Sequence, residues 1–159
     1  MPRLLLLNHV VLLLCCSIYL GTGVSLVFFQ LPLEPQLTIA NYQTIFVAPV
    51  TAATHFFTYM TIVMLICAAI MLATEWLSGL RWPPAVVLIA VIAATALTVW
   101  VIIPLNNELA AGITDPARLK AIFHEWADLN RVRFALWIIQ WAAVAYWFYR
   151  LALQARANR

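Results

Sequence analysis

Charge is almost absent from the first two thirds of this chain, and that absence constrains the fold more than any motif. Residues 4–33 carry none, and between Glu34 and Glu108 the only charged side chains are Glu75 and Arg81. Over 159 residues, 9% are charged and 65% hydrophobic, where a soluble domain carries roughly 25% charged residues. So few charges cannot clothe a water-facing surface. An apolar run of about 20 residues is what crosses a bilayer as a helix. The chain is therefore expected to be an all-α integral membrane four-helix bundle, one domain over 1–159.

Four runs fit, at about 4–29, 49–72, 83–103 and 130–150, with outer loops at about 30–48 and 104–129. The last run is apolar only over 134–149 and needs Arg133 and Arg150 to reach the interface along their stems. The first run is too long for the apolar region of a signal peptide, and nothing after it reads as a cleavage site, so it is expected to stay as a span. With both termini on one side, that side holds Arg3, Arg81, Arg150, Arg156 and Arg159 against Glu75. The other side holds five acids, Glu34, Glu108, Asp115, Glu125 and Asp128, against Arg118, Lys120, Arg131 and Arg133. The positive-inside rule puts both termini in the cytoplasm of a multi-pass protein. A basic face for nucleic acid is not present.

Cys15, Cys16 and Cys67 lie mid-span with no Cys-x-x-Cys spacing, as buried packing thiols do. This argues against a thiol–disulfide enzyme. Ser17, Gly21 and Ser25 recur every four residues and are expected to let a second helix approach closely. The 30–48 loop contains Pro32, Pro35 and Pro49 at its end and is expected to be extended or partly re-entrant. Pro104 is expected to kink or end the third helix. In "TDPARL", Thr114 or Asp115 can cap a helix that has Pro116 in its first turn. From there a short amphipathic helix leads into the last span.

Polar residues collect at the outer end. His55, with Thr51, Thr58 and Tyr59, forms a stripe on the second span; Asn106 follows the third. In "HEWADLNRVR", Trp126, Asn130, Arg133 and Trp137 share one helix face, while His124, Asp128 and Arg131 share another. The first face should turn inward and the second toward water. An arginine at membrane depth needs a carbonyl, an acid or a bound anion as partner.

"IIPLNNEL" followed by "WADLNRVR" resembles the Pro-Leu-Asn-x-x-Leu and Trp-x-x-x-Asn-x-x-Arg signatures of the anthrone oxygenase-like family of small four-helix membrane proteins. The matching residues are Pro104, Leu105, Asn106, Leu109, Trp126, Asn130 and Arg133. A glycine-containing first span followed by "FFQLPL" is also similar. Where such proteins often carry histidine after the motif asparagine, this chain carries Arg131. The resemblance implies oxidation of a lipophilic anthrone-type aromatic to a quinone by molecular oxygen, with no metal or organic cofactor required. A base removes a benzylic proton, and positive donors hold the resulting oxyanion. On that reading His55, Asn106, Asn130 and Arg133 are the catalytic candidates, and Tyr59, Trp126, Trp137 and His124 would bind substrate.

Two rivals remain. His55 with His124 and Glu125 could ligate haem iron, copper or non-haem iron, imidazole suiting each, although no ligand-spacing motif supports it. A non-enzymatic small subunit could instead join a larger membrane complex or self-associate through its Gly/Ser face and the aromatic last span. Membrane lipid is the partner common to every reading.

Overall fold

The computed structural model describes residues 3–157, so the Arg159 used in the charge argument lies outside the described residues. Four helices follow one another: α1 Arg3–Gln36, α2 Gln43–Glu75, α3 Trp82–Ala111 and α4 Pro116–Ala157. No strand occurs among the described residues. The first three helices are long and apolar enough to cross a membrane. The fourth is not among them, because Gln140 and several tryptophans and tyrosines sit between Arg133 and Arg150. At a 1.5 Å rise, 34 residues of α1 span about 51 Å, well beyond a hydrocarbon layer of about 30 Å.

Cross-helix bonds fix the arrangement as up-down-up-down. Asn8 donates to the Cys67 carbonyl at 3.0 Å, and Tyr19 to the Phe57 carbonyl at 3.0 Å, which pairs α1 antiparallel with α2. The rings of His9 and Trp147 lie 4.6 Å apart and those of Tyr19 and Trp137 5.0 Å apart, pairing α1 with α4. Trp126 to Asn106 and Arg133 to Thr98 pair α4 with α3.

The expected outer loops are largely helical. Residues 31–36 and 43–47 belong to α1 and α2, leaving 37–42 as the connection, and α3 runs through Pro104 to Ala111. The reason lies in the backbone just before three prolines. Leu26–Gln30, Gln43–Val47 and Thr98–Ile102 are π-helical turns. In each, the residue immediately ahead of the proline donates five residues back: Leu31 to Leu26, Ala48 to Gln43, Ile103 to Thr98. A proline in an α-helix has no N–H to donate, and its ring strikes the carbonyl four residues back. One extra residue in the turn moves that carbonyl aside, so Pro32, Pro49 and Pro104 are accommodated and the helix continues.

Gly112, at φ 99, ends α3 in a conformation that side chains other than hydrogen resist. Asp115 then caps α4, its carboxylate accepting from the Ala117 N–H at 2.9 Å, with Pro116 as first helical residue. The amphipathic leader and the fourth apolar run are one helix of 42 residues.

The core has two parts. An inner cluster gathers Leu12, Cys16, Met64, Ala68, Met71, Val87, Val144 and Trp147, and all three cysteines are free and buried around it. An outer cluster, built from the helix extensions, gathers Tyr42, Ile102, Leu109, Ile122, Phe123 and Trp126. The outward surfaces are apolar too: Phe28, Ile66, Ile89 and Trp100 are each more than half exposed, far more than a water-facing bundle tolerates.

The close helix approach falls elsewhere than expected. Ser17 and Gly21 are exposed, and a Cβ at Gly21 would meet nothing within 4 Å. A Cβ on Gly23, one face round, would lie 2.3 Å from Phe134 Cδ2 and 2.9 Å from Trp137 Cε3. Gly23→Ala is therefore expected to lower the thermal midpoint, overpacking costing about 1–3 kcal/mol. Gly21→Ala should leave it unchanged or slightly raised. Unfolding of both variants in one detergent checks the contrast.

Candidate functional site

Between the two core clusters lies a cavity of about 390 Å³, within the roughly 300–1,000 Å³ of small-molecule sites. Each of the three π turns contributes to its wall: Leu26 and Gln30 from α1, Ile45 and Phe46 from α2, Thr98, Val99 and Ile102 from α3. Such turns recur at functional sites because they displace one face of a helix. Most of the lining is aliphatic and aromatic.

Of the α4 residues expected inside, Trp126, Arg133 and Trp137 line the cavity, as does Asn106 of α3. Asn130 is fully buried directly behind them. A donor chain joins the set. Trp126 Nε1 donates to Asn106 Oδ1 at 2.8 Å, and Asn130 Nδ2 donates to the Trp126 carbonyl at 2.7 Å. Arg133 donates one terminal N–H to Asn130 Oδ1 and the other to Thr98 Oγ1 at 3.3 Å. Thr98 passes its own proton to the Ala94 carbonyl at 2.8 Å, so its oxygen is free to accept.

Arg133 is the only charged residue among the described residues that line the cavity. Its guanidinium stacks on the Trp137 ring at 4.8 Å, and its Nε–H is buried with no partner. The nearby acids are engaged elsewhere: Glu108 with Arg118 at 2.7 Å, Glu34 with His124 at 3.0 Å, Asp128 with Arg131. No carboxylate pairs with Arg133 among the described residues. Neutral oxygens and a π face offset part of the desolvation cost of this cation, and an anion in the cavity would offset the rest.

The structure does not bring the remaining candidates to this site. His55 and Tyr59 are exposed on the outer surface of α2, Tyr59 at 73%. Thr54, Phe57, Thr61 and Met64, none of them exposed, define the cavity side of that helix; His55, one residue beyond Thr54, is turned about 100° away. The expected stripe of Thr51, His55, Thr58 and Tyr59 therefore splits, and only Thr58 reaches the cavity. His124 sits on the outer face of α4 against Glu34. The ligand set of His55, His124 and Glu125 is thus not assembled, and no cluster of three or more His, Cys, Asp or Glu occurs among the described residues.

Two contributors were not anticipated. Gln140 lines the cavity's inner end, 1% exposed, with its Oε1 unpartnered. Its place seven residues after Arg133, itself seven after Trp126, is the signal that points to it. Tyr42 is buried in the outer cluster, where its hydroxyl accepts from the Ile113 N–H at 2.6 Å and from Gln43 Nε2 at 3.0 Å. Phe46, in the lining, lies edge-on to Trp126 at 4.7 Å. The lining residues that reach the surface are Gln30, Ile45, Pro49, Thr58, Ile62 and Val99. The cavity therefore opens sideways, along the outer half of α2.

If this partly buried cation is kept for a ligand, it should cost stability when the ligand is absent. The double variant Asn130→Leu/Arg133→Met removes both partners of one bond and the cation's desolvation cost. It is expected to raise the thermal midpoint of ligand-free protein, by the equivalent of about 1–4 kcal/mol, in a detergent melt. A lower midpoint would make the pair structural. Comparison with models of protein families, with curated proteins and with solved structures finds no match for this chain.

Proposed function

We propose that this chain is a four-span membrane bundle, both termini cytoplasmic, that binds the anionic form of a small lipophilic aromatic and oxidises it with molecular oxygen, as the anthrone oxygenase-like signatures imply. The observation that carries the reading is Arg133, a cation facing a largely apolar cavity without a carboxylate partner. A flat hydrophobic molecule dissolved in the bilayer would enter beside α2, through a rim that is mostly apolar. The orientation rests on Arg3, Arg81, Arg150 and Arg156 lying at one end of the bundle and most acids at the other.

For an anthrone, the reaction converts the ring CH₂ to C=O, with O₂ as four-electron oxidant and one water released. Loss of a benzylic proton leaves a carbanion whose charge is delocalised onto the carbonyl oxygen. Electron transfer to O₂ and recombination give a hydroperoxide, which loses water to the quinone. The guanidinium of Arg133 would hold the oxyanion, backed by Asn130 and Thr98, while Trp126 and Asn106 shape the polar end. This arrangement stabilises charge where it develops.

His55 and His124 are the two side chains that could serve as base on the resemblance, and neither lines the cavity; no Asp or Glu does either. The proton then leaves to water or buffer at the opening, because an anion stabilised by Arg133 forms at lower pH than the free compound would allow. The same feature favours a second reading, in which the bundle holds a lipophilic anion without turning it over.

Oxygen uptake and quinone absorbance during incubation with anthrone decide between them. Turnover should vanish under argon, and Arg133→Gln should lower kcat/KM by about 10²–10³, as loss of an oxyanion donor does. His55→Ala should leave it unchanged. Stoichiometric retention of the anion with no oxygen uptake would select the binding reading. A rate equal to the protein-free solution, with no retention, would overturn both.

A further inference from the structure

Trp126, Arg133 and Gln140 follow one another at seven-residue intervals on α4, and all three line the cavity. Residues seven apart share a helix face, two turns or about 10 Å along the axis. Trp126 thus marks one end of this wall and Gln140 the other, with Arg133 midway between them. Trp137, between them, is 4% exposed and presents its ring to the guanidinium.

Gln140 has no structural task to explain its place. It is buried to 1% exposure, its Oε1 has no partner, and no side-chain bond to another helix involves it. An amide so placed is unfavourable unless something completes it. No lining hydroxyl bonds to it. The Tyr19 hydroxyl is engaged with the Phe57 carbonyl at 3.0 Å and with Thr61 Oγ1 at 2.6 Å. Thr95 donates to the Val91 carbonyl at 2.8 Å.

We infer that Gln140 is a specificity-determining anchor for a hydroxyl at the end of the ligand remote from its anionic oxygen. The ligand class is then a flat polycyclic aromatic with an acidic oxygen at one end and a neutral hydroxyl at the other. A hydroxyl is favoured over a carbonyl because it donates to Oε1 and also accepts from the amide nitrogen, so it satisfies either orientation of the amide. The two positions lie about 10 Å apart along the helix axis, a span that suits fused rings better than a single one. This inference rests on the anion-binding reading of the same cavity.

The test measures binding of two non-oxidisable probes to purified full-length protein in nanodiscs. One is a dihydroxyanthraquinone with its hydroxyls on opposite end rings, and the other is the monohydroxy analogue lacking the distal hydroxyl. Their visible absorption reports the bound phenolate. Wild type should prefer the dihydroxy probe about tenfold, the worth of one net hydrogen bond. Gln140→Leu, and independently Gln140→Met should the first fold poorly, should bring that preference to about one while retaining the monohydroxy probe. Arg133→Gln should weaken both probes alike and keep the preference.

A preference that survives in Gln140→Leu and Gln140→Met overturns the Gln140 assignment and leaves the Arg133 reading standing. Equal tightening of both probes in those variants also overturns it, since Gln140 then held only a displaced water. Binding of both probes that is indifferent to Arg133→Gln sinks the anion reading and this inference with it.

Discussion

The structure depends on how a helix passes a proline. A proline removes one backbone donor and crowds the carbonyl four residues earlier, a disruption of about 3 kcal/mol inside an α-helix. Here the same solution appears on α1, α2 and α3, a five-residue π turn ending two residues before Pro32, Pro49 or Pro104. The helices thereby continue past the prolines instead of stopping at them. Their extensions, with the first turns of α4, make the outer core of Tyr42, Leu109, Phe123 and Trp126. The same turns displace wall residues on three sides, and the cavity lies at their level. Closure of the site and the room within it thus have one backbone cause.

On α4 the backbone is regular, and the side chains supply the chemistry. Its water-facing edge pairs charges with one another or with neighbours: Arg118 with Glu108, His124 with Glu34, Arg131 with Asp128. These exposed pairs contribute little to stability. Its inner edge keeps one cation away from every acid. The donor chain running through Asn106, Trp126, Asn130 and Thr98 orients Arg133 without neutralising it. That guanidinium is held by neutral oxygens alone, with no counter-ion among the described residues.

Much of this was legible in the sequence. Four helices followed from the run lengths, the start of α4 from "TDP", and the inward set of Trp126, Asn130, Arg133 and Trp137 from helical spacing. The helical state of 31–36 and 43–47 was not legible, because a π turn has no compositional mark apart from the proline after it, and that proline reads as a breaker. His55 and Tyr59 were misplaced for a related reason. One polar stripe on an apolar helix does not say which way it turns, and the inward face is carried by Thr54 and Thr61, whose hydroxyls look unremarkable. Gln140 escaped notice because a single amide amid tryptophans resembles an interfacial residue. Only its register with Arg133 marks it.

The fastening of α2 has a mechanical consequence. Gln43 ties its outer end to the Leu109 carbonyl, and Tyr19 grips it at Phe57 and Thr61. Between Gln43 and Phe57, no side-chain hydrogen bond joins it to another helix among the described residues. Its holds there are rings alone: Phe46 packs edge-on to Phe123 at 5.0 Å and to Trp126 at 4.7 Å. Such contacts slide without breaking a directional bond. With the bundle in a bilayer, the pressure of the acyl chains on this stretch would then set the width of the opening beside it.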